Sequence, residues 1–548
     1  MTGSVPPASG ESSDRFVRHA RTFASMTLVS RVFGLVRDAL LARALGVGAT
    51  GTAFNFAFQI PNTFRRLFGE GALSAAFIPE YAQQLKHDPA TADRLASLVA
   101  GVMVVGLGAL TLVLEGAILV ALAVPVARES AGEALVLMAV MLPFMPLVCL
   151  TAALGGVLQT HGRFAPQAGA PVILNLCMIG AVLIGAHALA WTPERTALLV
   201  GASVVLAGVA QVLWCLRDLR GLVRWTRVVS GASGPARRML KKMGPVVIGL
   251  GALQLSTLAD SLIAGYPVFF GPALPGGTPY PLDEGAGAAL TYAQRLYQFP
   301  LGVFGIALAT AAFPLLAKQA DDRPAFVRTL RRSVRLAALI GLPATLGLLA
   351  VAPDAVRVVY LGGRVDSAAA GRIAQCVLWY TPMIGAYSVT HVLTRAFYAS
   401  GETALPTRVS LSFIGVNLAL NLTLMFFFAE RGLAMASSIA ALGQLGVLAW
   451  LAHRRLGGGM EGVFDRPTLR GLGGSAVCAA AMLAIVAGAM ALWPRGPEPG
   501  FWDSLLRLAA ACALGAGVCA GLALLLLKDE VRWLLDRQQQ ANEPASPG

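Results

Sequence analysis

Charged residues are scarce in this chain. They make up 13% of its 548 residues, whereas soluble domains typically carry roughly 25%. Hydrophobic residues make up 56%, and many apolar runs exceed the ~18 residues that a membrane-spanning helix needs. This composition excludes a soluble globular protein and predicts a polytopic membrane protein.

The sequence also lacks the motifs of several enzyme classes. We find no Walker A motif, no nucleophile elbow and no HExxH sequence, which argues against an ATP-driven pump and a membrane hydrolase. The stretch GVGATG at 46–51 matches the pattern of a dinucleotide-binding loop. It lies between two apolar helices with no strand before it, so we reject that match and do not expect an enzyme.

Disulfides, metal clusters and nucleic-acid binding are not expected either. The seven cysteines lie in or beside apolar runs and show no CxxC spacing. The net charge of +14 sits in short loops between apolar runs, so membrane topology explains it better than nucleic acid does. The N-terminus lacks the pattern of a cleaved signal peptide, so we expect the first apolar segment to remain in the mature protein.

The apolar runs predict fourteen membrane-spanning helices and an all-α fold. Their approximate bounds are 18–45, 51–84, 94–124, 131–160, 166–190, 195–221, 238–266, 285–318, 326–352, 367–399, 405–428, 431–454, 468–493 and 502–527. The loops after spans 6, 8 and 12 are rich in Lys and Arg, whereas most loops on the opposite side are poor in them. The loop after span 9 is the exception, because it lies on that opposite side and still contains several Arg residues. By the positive-inside rule, both termini are cytoplasmic.

An internal repeat organises these helices. FQIP ending at Pro61 and YQFP ending at Pro300 are 239 residues apart, as are Gly162 and Gly401 in two similar turns. The repeat predicts two parallel six-helix lobes followed by two C-terminal helices. The expected domains are a disordered N-terminus (1–17), a first lobe (18–221), a basic linker (222–237), a second lobe (238–454), helices 13 and 14 (468–527) and a cytoplasmic tail (528–548).

Charges within the first two spans point to a binding site, because charges at membrane depth are costly. Arg31 and Asp38 are two helical turns apart, and Arg66 can pair with Glu70. The alternative is that these side chains lie near helix ends and reach the interface. An excess of arginines remains after Asp38 and Glu70 are matched. The planar guanidinium suits phosphate, so we favour a cationic cavity for an anionic, phosphate-bearing substrate, to which Arg295 in span 8 contributes.

Two further groups of residues are candidates. Oxygen-bearing side chains in spans 7, 11 and 12 suit a hard cation such as Na⁺, which is the only cofactor that the sequence suggests. Helix–helix hydrogen bonding is the alternative for the asparagines, and Asp260 could equally be a proton-coupling site. These residues are Asp260, Asn417, Asn421 and Ser437. Pro61 and Pro300 lie at equivalent places in the repeat and are expected to interrupt their helices and act as hinges.

Three stretches resemble the MurJ (MviN) family, the lipid II flippases of the multidrug/oligosaccharidyl-lipid/polysaccharide exporter superfamily. They are SRVFGLVRDALLARALG, FQIPNTFRRLFGEGALSAAFIPEY and YAQRLYQFPLGVFGIALATAAFP. The likeness runs from about residue 20 to 528. It implies fourteen helices, two lobes around a central cavity, and a groove near the last two helices for a lipid tail.

The resemblance also assigns roles to single residues. The cavity arginines of the family match Arg31, Arg37, Arg65 and Arg295, and the glutamate after the double arginine matches Glu70. Three acidic positions found in other members are replaced here, by Thr52, Gln294 and Gln298. A sodium site that some members have resembles the set that contains Asp260 and the two asparagines.

The resemblance therefore implies a flippase that moves lipid II from the cytoplasmic to the periplasmic leaflet by alternating access, in peptidoglycan biosynthesis. We expect a monomer in the bacterial inner membrane, associated with the cell-wall synthesis machinery. The alternatives are a flippase for another lipid-linked glycan, a cation-coupled drug exporter of the same superfamily, and a scaffold without transport activity. Drug exporters commonly carry cations, which an arginine-lined cavity would repel.

Overall fold

The computed structural model describes residues 30–124, 129–457, 462–493, 500–528 and 530. The predicted disordered N-terminus, the first part of span 1 and most of the predicted cytoplasmic tail lie outside these residues. The side chain of Glu70 is also outside the described part of the structure. The described residues are mostly helical and contain no β-strand, which confirms the all-α class.

The chain divides into two compact units, Met1–Ala288 and Ala289–Gly548. The first unit contains nine helices among its described residues. They are α1 (30–45), α2 (Ala49–Phe64), α3 (Leu73–His87), α4 (Pro89–Ala123), α5 (Glu129–Met141), α6 (Phe144–Thr160), α7 (Ala165–Val182), α8 (Pro193–Leu219) and α9 (Ser233–Phe269). Because α9 packs on α2, α3 and α5, it belongs to this unit, although the repeat assigns it to the second lobe.

The second unit holds the remaining described helices. They are α10 (Ala286–Pro300), whose first turn precedes the division, α11 (Ile306–Lys318), α12 (Arg323–Tyr360), α13 (Ser367–Tyr380), α14 (Pro382–Ala399), α15 (Ala404–Phe428), α16 (Glu430–Leu456), α17 (Arg466–Leu492) and α18 (Phe501–Leu526). Three short π-helical segments continue α2, α7 and α10, namely Arg65–Ala72, Leu183–Ala188 and Leu301–Gly305.

Within the described residues, each predicted span falls on one helix or on one run of consecutive helices. Within the described residues, nine helical runs are long and apolar enough to cross a membrane. The number is ten if α9, which bends by 52° between Gly244 and Gly249, is counted as one span. The runs that contain the predicted site charges, α1, α2–α3 and α10–α11, are not among them. Fourteen crossings therefore remain a prediction.

Helix boundaries repeat along the chain at nearly constant spacing. α5, α6, α7 and α8 begin at residues 129, 144, 165 and 193, and α13 to α16 begin at 367, 382, 404 and 430, which is 237–239 residues later. The turns after α6 and α14 contain Gly162 and Gly401, whose φ angles are +75° and +85°. This left-handed conformation favours glycine, which explains why both turns of the repeat keep one.

Polar contacts fasten the ends of the first-unit helices. The carboxylate of Asp88 accepts a hydrogen bond from the backbone N of Thr91 and caps α4. Glu80 on α3 is buried, and its Oε1 accepts hydrogen bonds from Nε and Nη2 of Arg238 on α9 at 3.1 and 2.7 Å. Arg238 is itself half exposed, so this ion pair mainly offsets the cost of burying the carboxylate.

α12 is the central helix of the second unit, where it packs against α11, α13, α14, α17 and α18. Nη1 of Arg331 on α12 lies 2.6 Å from Oδ2 of Asp465, the residue that caps α17 through the backbone N of Thr468. Burial opposes ionisation of Asp465, but the hydrogen bonds from Thr468 and the charges of Arg331 and Arg335 outweigh it and lower the pKa of this carboxyl. The ionised carboxylate thus joins α12 to the start of α17.

Candidate functional site

Arg37 is held on α1 by contacts from two other helices and from its own neighbour. Its Nε and Nη2 atoms donate hydrogen bonds to Oδ1 of Asp38 at 3.0 and 2.7 Å, and its Nη1 donates to Oδ1 of Asn175 on α7 at 2.8 Å. The guanidinium carbon lies 5.8 Å from the ring centroid of Phe58 on α2. Within the described residues these bonds use three of the five N–H donors and leave two for an anion.

Asn175, which is not among the residues predicted from the sequence, orients this arginine. Its side chain is buried, and its Nδ2 donates to the carbonyl oxygen of Ser30 at 3.1 Å. Ser30 and Arg37 are two helical turns apart, so one amide joins a stretch of α1 to α7. A polar residue inside the apolar run PVILNLCM at 171–178 was the signal that could have identified it.

The other predicted arginines of the first unit lie at two places. Arg31 is exposed on α1. Arg65 begins the first π-helical segment, where its Nε donates to Oδ1 of Asn62 at 2.8 Å, and Arg66 next to it is half-buried. The predicted Arg66–Glu70 pair includes a side chain outside the described residues and stays a prediction. Asn62 therefore orients Arg65 much as Asn175 orients Arg37.

Arg295 lies half-buried near the middle of α10, in the second unit. Nε2 of the neighbouring Gln294 donates to the hydroxyl oxygen of Tyr380 on α13 at 3.2 Å, and Gln298 is exposed. The two positions that carry acids in some family members are thus neutral amides here, and one of them is bound to a neighbouring helix. The placement of Arg295 relative to the arginines of the first unit stays a prediction.

Thr52, at a position where the resemblance implies an acid, has a structural role of its own. It is 2% exposed. Its hydroxyl donates to the carbonyl oxygen of Glu284 at 2.6 Å and accepts a hydrogen bond from the backbone N of Ala288 at 3.0 Å. The second of these bonds gives a partner to the N–H of Ala288, which lies in the first turn of α10 and has no acceptor within its own helix. Thr52 therefore fastens α2 to the start of α10.

Gln59 joins α2 to α9 beside Asp260. Its Nε2 donates to the carbonyl oxygen of Thr257 at 3.1 Å, and its Oε1 accepts a hydrogen bond from the hydroxyl of Ser261 at 2.9 Å. Asp260 is half-buried on the same stretch of α9. The amide of Gln59 therefore helps to fix the segment that presents this carboxylate.

The other predicted cation ligands lie in the second unit and are joined by two hydrogen bonds, one within α15 and one from α15 to α16. Nδ2 of Asn421 donates to Oδ1 of Asn417 at 3.2 Å, and Nδ2 of Asn417 donates to the hydroxyl oxygen of Ser437 at 3.4 Å. The bond from Asn417 to Ser437 is the helix–helix hydrogen bonding that we considered as the alternative to a cation site. No group of three or more His, Cys, Asp or Glu side chains suited to a metal occurs among the described residues. A shared sodium site with Asp260 stays a prediction.

Pro61 and Pro300 do not end the helical runs in which they lie. Pro61 is inside α2, which continues to Phe64 and then into the π-helical segment Arg65–Ala72. Pro300 is the last residue of α10 and is followed at once by the π-helical segment Leu301–Gly305. A proline removes one backbone hydrogen bond, and in both repeats a π-helical segment begins within four residues after it. Both repeats thus change helical pitch after the proline.

The chain has extensive similarity to one family. The family model described as lipid II flippase MurJ matches residues 41–501. A probable lipid II flippase MurJ from Vibrio cholerae is 29% identical over 533 residues, which is 94% of this chain and 96% of the relative. The corresponding protein of Rhizobium tropici is 32% identical over 433 residues, which is 76% of this chain and 77% of the relative.

Solved structures show the same fold. A lipid II flippase MurJ in an inward closed conformation superposes with a TM-score of 0.75 at 19% identity and covers 93% of this chain and 99% of the other. An inward-facing multidrug resistance transporter of the MATE family, in the MOP superfamily, superposes with a TM-score of 0.65 at 14% identity and covers 80% of this chain and 98% of the other. At these identities the similarity concerns the fold alone.

Proposed function

The chain belongs to the MurJ family of lipid II flippases, and we propose that it moves lipid II from the cytoplasmic to the periplasmic leaflet of the bacterial inner membrane. The substrate would be the undecaprenyl-diphosphate-linked disaccharide-pentapeptide. Its diphosphate cannot cross hydrocarbon without compensating charges. The protein would act in peptidoglycan biosynthesis as a multi-pass transporter, as a monomer associated with cell-wall synthesis machinery.

The geometry of Arg37 is the observation that carries this proposal. Its guanidinium is fixed by Asp38 and Asn175 and keeps two donors beyond the described contacts. Two N–H groups on one fixed plane fit two oxygens of a phosphate group. Arg31, Arg65 and Arg295 would complete a cationic site, with Arg66 and Glu70 as its neighbouring pair, and the isoprenoid tail would remain in lipid or beside α17 and α18.

Movement of the two repeats would open this site to each side of the membrane in turn. The π-helical segments after Pro61 and Pro300 are suitable hinges, because their pitch differs from that of the adjoining helices. No nucleotide-binding motif is present in the sequence, so the energy would come from the membrane potential, an ion gradient or removal of product. A Na⁺ ion bound by Asp260, Asn417, Asn421 and Ser437 is one such coupling ion. The basic loops favour cytoplasmic termini and fourteen crossings.

Complementation tests the function in cells. We expect the wild-type chain to restore growth of a bacterium that has been depleted of its own lipid II flippase. Arg295→Ala should abolish this rescue without lowering the amount of protein in the membrane. Absence of rescue by the wild-type chain, despite its presence in the membrane, would contradict the proposal. A chain that flips another lipid-linked glycan would fail in this strain and rescue one that lacks that glycan's flippase.

A further inference from the structure

Two corresponding helices of the repeat, α4 and α12, each contain one acid within their apolar part at nearly the same position. Glu115 lies 14 residues before α5 begins at residue 129, and Asp354 lies 13 residues before α13 begins at residue 367. Each acid is also within eight residues of the end of its own helix, at Ala123 and Tyr360. The two carboxyl groups therefore occupy equivalent positions along corresponding helices of the two repeats.

Asp354 is paired inside the protein. Oδ2 of Asp354 lies 3.7 Å from Nε of Arg507 on α18, and both side chains are less than 5% exposed. Nη2 of Arg507 also donates to the carbonyl oxygen of Met490 on α17 at 3.4 Å. The appended helices pack on α12 together with α11, α13 and α14, and none of the residues 333–360 is exposed. A basic side chain from a further helix thus compensates the acid of α12.

Glu115 has no such compensation within the described part of the chain. It is half-buried, and it forms no hydrogen bond or ion pair with any described residue. A narrow stripe of α4 that includes Met103, Leu107 and Thr111 packs on the rest of the first unit, whereas the adjoining surface is open. On that surface Val105 and Leu112 are 70% and 74% exposed.

We propose that α4 is a docking surface for a transmembrane helix of another membrane protein, and that this helix presents an arginine or lysine to Glu115. The same kind of ion pair occurs within this chain, where α18 presents Arg507 to the equivalent acid of α12. An acid that faces hydrocarbon is costly, and a basic partner at the same depth relieves this cost.

The backbone of α4 permits close approach of such a helix. Gly108 lies one heptad before Glu115, and Gly116 follows it directly. A Cβ atom built on either glycine would meet nothing within 4 Å. Glycine on an exposed face of a transmembrane helix lets a second backbone pack closely, which shortens the reach that an interhelical polar contact requires.

A defined probe peptide tests the proposal. The full-length chain would carry a photoreactive benzoylphenylalanine at Leu112 in phosphatidylcholine vesicles. The vesicles would also contain a Leu/Ala transmembrane peptide with one arginine eight residues from its end. We expect roughly tenfold more cross-linking than with a peptide that has leucine at that position. A roughly tenfold ratio corresponds to the free energy of one good interhelical polar contact in a membrane. Glu115→Gln should remove the difference, and Glu115→Arg should favour a peptide that carries glutamate instead.

The matched control places the same photoprobe at Leu422 on α15, which is 46% exposed and has no acid beside it. Both peptides should label this position equally. The proposal would be overturned by equal labelling of both peptides from Leu112, by a preference for the arginine peptide that survives Glu115→Gln, or by adducts between two copies of the chain at Leu112. The last result would assign α4 to a homodimer.

Discussion

Arg37 donates a hydrogen bond from Nη1 to the side-chain oxygen of Asn175, 138 positions further along the chain, at 2.8 Å. We expect Asn175→Leu to weaken the binding of lipid II to the purified chain by about tenfold, because a hydrogen bond to a charged group is lost and the guanidinium is no longer fixed. Arg37→Ala should weaken binding at least as much. The double variant should bind no more weakly than Arg37→Ala alone, since Asn175 acts through the arginine.

Gln211 offers a matched control for this comparison. It is another buried amide, and its Nε2 donates to the carbonyl oxygen of Ala170 at 2.8 Å without contacting an arginine. Gln211→Leu should lower thermal stability and leave the affinity of the folded protein for lipid II unchanged. Additive losses of affinity in the Arg37/Asn175 double variant would show that Asn175 acts elsewhere.

Thr52 lies against Gly287, so substitutions at either position should change the stability of the protein. Thr52→Val should reduce the free energy of unfolding by about 1–3 kcal/mol, because the N–H of Ala288 loses its buried partner. Gly287→Ala should also destabilise the protein, since its Cβ would lie 2.5 Å from Cγ2 of Thr52. Adding Thr52→Ser to Gly287→Ala removes that methyl group and should restore part of the loss. Thermal unfolding in detergent measures all four proteins.

The buried pair of Asp354 and Arg507 should show strong non-additivity. Asp354→Leu or Arg507→Leu alone leaves an uncompensated buried charge and should cost roughly 3–5 kcal/mol of stability. The double variant with leucine at both positions should recover most of this, because no charge remains buried. A double variant whose loss equals the sum of the single losses would mean that the two charges do not compensate each other.

Acid should weaken the attachment of α17 to α12. The folded-state pKa of Asp465 is lower than its ordinary value of about 3.9, so its ionised form stabilises the fold fully above that value. This contribution is lost as the pH falls through the lowered pKa. Asp465→Asn keeps the cap on α17 but removes the charge. The variant should therefore melt at a lower temperature than the wild type at pH 7, and the gap should shrink as the pH falls below 4.

Much of this fold could be predicted from the sequence because membrane helices have a strong local signal. The apolar runs located the helices, and the spacing of Pro61 and Pro300 revealed the repeat that the helix boundaries follow. The π-helical continuation after each proline was not predictable, because other prolines, such as Pro79 and Pro343, lie inside helices that remain α-helical. The assignment of α9 to the first unit depends on packing with α2 and α3.

The candidate site was only partly predictable for the same reason. Charge in an apolar run identified Arg37 and Asp38, but the sequence could not show that these neighbours bond to each other. Asn175 is far away in the chain, and only the packing of α7 on α1 makes it the partner of Arg37. Thr52 attracted attention as a missing acid, whereas its hydrogen bonds to the start of α10 arise from the tertiary structure.

Translocation of lipid II in a purified system is the most direct measurement. The wild-type chain, Arg37→Ala and Arg295→Ala would each be reconstituted in liposomes that carry labelled lipid II, and a probe that cannot cross the bilayer would follow its transfer between leaflets. We predict transfer well above protein-free liposomes with the wild type, and transfer close to that background with either variant. Wild-type transfer no faster than background, or equal transfer by all three proteins, would contradict a flippase that holds the diphosphate with these arginines.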